Sequence, residues 1–137
     1  MARILVLDDV EAVRVVLVEF LELEGHECMQ AANELEARLL LQENSIEVVI
    51  SDLDMLVKSG MDLLRYASRH HPSMIFIVTT AVHDPAAMNA AMQMGTRECM
   101  VKPFNLSELL EKVNVALQNR RQSCITFPSH LYQSCTI

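Results

Sequence analysis

Six side chains stand where reactions are expected: the paired acids Asp8 and Asp9, Asp52 and Asp54 in the triplet Asp52-Leu53-Asp54, the hydroxyl of Thr80 and the amine of Lys102. Each follows an apolar, strand-like run. Three of these carboxylates, Asp8, Asp9 and Asp52, repel one another in one pocket, and a hard divalent cation with oxygen ligands makes the arrangement tolerable. Mg²⁺ is the natural candidate, because it takes one or two carboxylates, waters and a phosphoryl oxygen in preference to a full protein cage. A lysine and a hydroxyl aimed at the same place suit a phosphoryl group, Lys102 offering charge and Thr80 a hydrogen bond. Asp52 would then be the nucleophile, and carboxylate attack on phosphorus gives an aspartyl phosphate.

These residues need rigid elements behind them. Val48, Val49 and Ile50 are consecutive and β-branched, as in a central parallel strand covered on both faces, and Asp52 lies at its carboxyl end. Arg3 to Leu7 is a similar run ending in Asp8 and Asp9, followed by a helical pattern from Glu11 to Glu24 that Gly25 stops. Glu27 to Gln30 reads as a second strand, and Asn33 with Glu36 forms a capping-box signal for the next helix. Ser59 and Gly60 mark a helix with Met61, Leu64 and Ala67 on its apolar face, broken by His71 and Pro72. Met74 to Val78 is a buried strand leading to Thr79 and Thr80. Asp84 caps a helix with Pro85 at its first position, Glu98 to Val101 is the last strand, and Asn105 with Glu108 opens the last helix. Strand and helix alternate throughout, which predicts a parallel α/β sheet with right-handed crossovers and every reactive residue on one rim.

Composition narrows the class. A chain of 137 residues with 51% hydrophobic content can bury one sizeable core, and its apolar runs are too short to span a membrane. A cytoplasmic protein is expected. The net charge of -7 argues against direct nucleic-acid binding. Cys28, Cys99, Cys124 and Cys135 lack C-x-x-C spacing and read as reduced thiols, with Cys28 and Cys99 as small core hydrophobes. His70 and His71 suit a helix C-terminus, and His83 an exposed loop. Residues 1–121 read as one domain, and residues 122–137 as an uncharged tail or linker with no second domain.

From Arg3 to about Arg120 the chain resembles the receiver domain of bacterial two-component response regulators. The matching motifs are Asp8-Asp9, Asp52, Thr80-Ala81 and Lys102-Pro103, in that order. The resemblance implies a flavodoxin-like doubly wound (βα)5 parallel sheet with strand order 2-1-3-4-5. It also implies phosphorylation of Asp52 by a histidine kinase or a histidine phosphotransfer protein, and a conformational switch that controls a partner or effector. Asp9 and Asp52 would contact Mg²⁺ directly, Asp8 partly through water and Asp54 through its backbone carbonyl, while the Ala81 backbone would contact the phosphoryl group. Such a domain is not an enzyme acting on an external substrate.

The chain departs from that pattern twice. Leu56 stands where the family usually has proline, and Cys99 where it usually has an aromatic switch residue. Val15, Val18 and Leu23 on the first helix replace charges common in receivers, and a docking or homodimer role is one reading of them. The rival function is a haloacid-dehalogenase-type phosphatase using Asp52 and Asp54; its motif order is the reverse of the one here. A flavin module is disfavoured by 4% aromatics and three glycines.

Overall fold

In the computed structural model, which describes residues 2–81 and 84–123, with side chains through Asn119, the apolar runs become strands. They are β1 (Arg3–Leu7), β2 (Glu27–Ala31), β3 (Val48–Asp52), β4 (Ile75–Thr80) and β5 (Glu98–Val101). All neighbours pair in parallel, and the sheet order is β2-β1-β3-β4-β5. This is the flavodoxin-like order expected. The helices are α1 (Glu11–Leu23), α2 (Glu34–Glu43), α3 (Leu53–Lys58), α4 (Asp62–His70), α5 (Pro85–Gln93) and α6 (Leu106–Ser123).

The two-residue period of a strand sorts the core into two layers. Ile4, Val6, Val48, Ile50, Ile75 and Ile77 face α1 and α6, where Leu17, Leu21, Leu109 and Val113 meet them. Leu5, Leu7, Val49, Phe76 and Val78 face the opposite way, against Ala37 and Leu41 of α2, Leu53 and Leu56 of α3, Leu63 and Leu64 of α4, and Ala91 of α5. Burying one such aliphatic side chain is worth about 1.5–3 kcal/mol, so β3, buried along its whole length, is a rigid post for Asp52.

The signals at Asn33, Asp84 and Asn105 cap helices, whereas Ser59 closes α3 and the left-handed Met61, at φ +65°, precedes α4 without a side-chain cap. Asn33 Oδ1 accepts from the Glu36 N–H, while the Glu36 carboxylate reaches back to the N–H of Ala32, not to that of Asn33. Asp84 Oδ1 accepts from the Ala87 N–H, and Asn105 Oδ1 from the Ser107 N–H. Gly25 and Gly95 have φ of +92° and +103° just beyond α1 and α5, a conformation that favours glycine.

Two expectations are corrected. Helix α3 follows β3 without a loop, whereas the sequence suggested a loop as far as Ser59; Leu56 is fully buried at its fourth position. Val18 is 8% exposed and belongs to the core, while Leu23 is 86% exposed and Val16 half exposed. The exposed apolar stripe of α1 is thus turned from the one the sequence suggested.

Cys28 and Cys99 are free and half-buried, and each packs against a core layer. Burial, with Glu22 and Glu27 nearby, pushes the Cys28 thiol up to about 12. Burial and then Glu98 push the Cys99 thiol upward as well. Among the described residues no helix is long and apolar enough to cross a membrane. The readings of His83, Cys124, Cys135 and the tail beyond Ser123 fall outside the described residues.

Candidate functional site

The carboxyl ends of β1, β3, β4 and β5 converge, as the parallel topology requires. One carboxylate oxygen from each of Asp8, Asp9 and Asp52 lies within 4.8 Å of the others. Asp8 and Asp52 are buried and Asp9 is exposed, so the cluster opens to solvent on the Asp9 side. Oxygen-only donors of this charge fit a hard cation such as Mg²⁺.

Asp8 is held from several directions. Its N–H donates to the Ala31 carbonyl at 3.3 Å, its Oδ1 accepts from the Val10 N–H at 2.9 Å, and its carbonyl accepts from Arg14 Nη1 at 2.7 Å. Its Oδ2 accepts from Lys102 Nζ at 3.2 Å, which ties the end of β1 to the turn after β5. That turn is drawn in by a 2.7 Å bond from the Lys102 N–H to the Thr80 carbonyl. Thr80 itself is buried at the end of β4, with exposed Ala81 next to it. Asp9 pairs with exposed Lys58 of α3 at 3.7 Å, a contact of little energetic weight.

Asp52 closes β3 and also caps α3, its Oδ1 accepting from the Asp54 N–H at 3.3 Å. Burial raises its carboxyl above the usual carboxylate range; Lys102 and the Asp54 N–H pull it down, and the Asp8 and Asp54 carboxylates push it up. A partly desolvated carboxylate beside an amine can act as a nucleophile toward an electrophilic phosphorus. Asp54 has an exposed side chain, and as the second residue of a helix its carbonyl is directed along the axis toward Lys58. Cys99 lies on β5 paired with Val78, its side chain against the α2–α5 layer. Sequence reasoning missed Arg14, Gln30 and Lys58. Arg14 and Lys58 act through a carbonyl and across a cleft, and neither contact leaves a spacing signal.

A sequence model of the response regulator receiver domain matches residues 4–114. The chain belongs to that family. It is 27% identical over 118 residues to the regulatory protein VirG of Agrobacterium fabrum, covering 86% of this chain and 47% of VirG. It is 31% identical over 115 residues to the protein CcdB of Bacillus subtilis, covering 83% of this chain and 96% of that one. A solved response regulator receiver domain protein from Clostridium thermocellum superposes with a TM-score of 0.81 at 34% identity, over 91% of this chain and 100% of that one. The chain spans about half the length of the VirG relatives it matches. Membership makes it a phosphoacceptor module of two-component signalling and removes the haloacid-dehalogenase reading.

Proposed function

We propose that this receiver domain takes a phosphoryl group on Asp52 from the phosphohistidine of a kinase or phosphotransfer protein. The observation that carries the proposal is the meeting of Asp8, Asp9 and Asp52 within 4.8 Å at the strand ends, with Lys102 3.2 Å from Asp8. An oxygen of Asp52 forms the new bond to phosphorus as the donor nitrogen leaves with its bonding electrons. Lys102 is then free to leave Asp8 for the phosphoryl oxygens, and the Thr80 hydroxyl and Ala81 N–H lie on the same rim to serve as donors. Asp8, Asp9 and Asp52 would hold Mg²⁺, which offsets the charge of the incoming dianion. Ligation by the Asp54 carbonyl requires the first turn of α3 to open.

On this reading the signalling unit is residues 1–121 with the end of α6 running on to Ser123, acting in the cytoplasm without turning over an external substrate, and the residues beyond Ser123 are a tail or linker. The output passes to a partner or effector, or to a second copy of the chain, while the net charge of -7 disfavours direct contact with nucleic acid. With Cys99 in place of a ring, the change at Thr80 is carried by the backbone after Thr80 and by the adaptable Met88 and Met92 of α5.

The test is intact-mass analysis after incubation with acetyl phosphate and Mg²⁺. One phosphoryl adduct is expected on the wild type and none on Asp52→Asn or in EDTA. The same adduct on Asp52→Asn would overturn the assignment.

A further inference from the structure

Asp8 and Asp9 are adjacent, yet their anchoring is unequal. The Asp8 side chain is fixed by the Val10 N–H and by Lys102, both within 3.2 Å. Asp9 has an exposed side chain paired at 3.7 Å with an exposed lysine, a contact too weak to hold a carboxylate in one direction. Its direction must therefore come from the backbone. The Asp8 carbonyl and the Asp9 N–H belong to one planar peptide unit, so whatever fixes that carbonyl also fixes where the Asp9 Cα–Cβ bond starts. Arg14 Nη1 donates to this carbonyl at 2.7 Å from the first turn of α1. The guanidinium is itself steadied by Gln30 of β2, whose Oε1 accepts from Nε at 3.3 Å.

We propose that Arg14 is a positioning residue for the divalent cation: through the Asp8 carbonyl it holds Asp9 in ligating orientation and thereby sets cation affinity. The inference rests on the Mg²⁺ reading of the acidic cluster. Its sign separates it from a simple charge effect. Arg14 is a cation near a cation site, so if charge were all it contributed, removing it would tighten Mg²⁺ binding. As a positioning residue its removal weakens binding, on the pattern of groups that orient metal ligands from behind, by about tenfold.

The experiment is a titration of the full chain with MgCl₂, following backbone amide shifts by NMR, for wild type, Arg14→Ala, Arg14→Lys and Gln30→Ala. Thermal melts in EDTA accompany each titration. The expected result is a Kd for Arg14→Ala raised about tenfold, with the largest shift differences at Asp9 and a near-unchanged melt in EDTA. Arg14→Lys keeps the charge and one donor and restores affinity toward wild type. Gln30→Ala has a small effect because the carbonyl bond survives. Should Arg14→Ala unfold, Arg14→Met, which keeps the aliphatic stem, takes its place. Equal or tighter binding by the variant, with wild type binding normally, overturns this inference and leaves the metal reading standing. No saturable shift in wild type overturns the metal reading and this inference with it.

Discussion

The β1–α1 and β3–α3 junctions each turn a buried strand into a helix at a carboxylate, and they are built in opposite ways. At β1–α1, bonds from distant parts of the chain converge on Asp8: Ala31 of β2, Arg14 of α1 and Lys102 beyond β5. The helix there has no side-chain cap, since Val10 occupies the position. At β3–α3 the restraint is local. Asp52 caps a helix of six residues through one 3.3 Å bond to its own second neighbour, and Leu56 anchors that helix in the core. Tertiary bonds hold the first acid where the sheet puts it, whereas the second can be released by opening a single turn. A site that must change when its nucleophile is modified gains from this division: one wall is fixed and the other can move.

The largest expected effect comes from breaking the local junction. Proline at position 56 would remove the N–H that bonds to the Asp52 carbonyl, clash with that carbonyl and shorten a fully buried side chain. Leu56→Pro should lower unfolding stability by about 3 kcal/mol or more, measured by urea denaturation. A variant as stable as wild type would show that α3 does not depend on its own ladder, and the contrast between the junctions would fail.

Next in size is the distant restraint. Lys102→Ala leaves the buried Asp8 carboxylate without its amine, which should cost about 2 kcal/mol. Adding Asp8→Asn to Lys102→Ala should recover much of the loss, because a neutral amide needs no counter-charge; urea midpoints of the single and double variants provide the cycle. No recovery would mean that the ion pair is not what holds this junction.

How legible each junction was follows from the same contrast. The five strands follow from β-branched runs alternating with capped helices, which are local signals, whereas their order came from the resemblance to receiver domains. The acids, Thr80 and Lys102 were visible because parallel topology sends every strand end to one rim. Helix α3 was not, since its cap Asp52 already carried a chemical reading and Leu53 to Lys58 is too short to display a helical period. The family's usual proline at position 56 also pointed to a loop, and leucine is what permits the helix. Val18 was misplaced because α1 is apolar over most of its circumference, so its periodicity does not fix which valines face the sheet. The bonds of Arg14 depend on how β1, β2 and α1 pack, and nothing within α1 alone announces them.

The smallest effect tests whether the second junction carries a cost in its resting state. Burial, more than any charge nearby, raises the Asp52 carboxyl above its ordinary 3.8, so the folded protein holds that proton more readily than the unfolded chain does. The stability linked to this proton is complete below about pH 3.8 and is lost as pH climbs through the folded-state value. At neutral pH the native protein therefore carries an ionised, partly desolvated carboxylate that it would be more stable without. Asp52→Asn removes that burden and keeps the cap, because an amide oxygen can still accept from the Asp54 N–H. The variant should melt above wild type at pH 7, by an amount on the order of a few degrees. The advantage should vanish on acidification below the ordinary carboxyl value and shrink when Mg²⁺ is added, since the ion stabilises the wild-type site. Equal melting temperatures at pH 7 in EDTA would mean that Lys102 and the Asp54 N–H already offset the burial, and the two junctions would then differ in how they are anchored but not in what they cost.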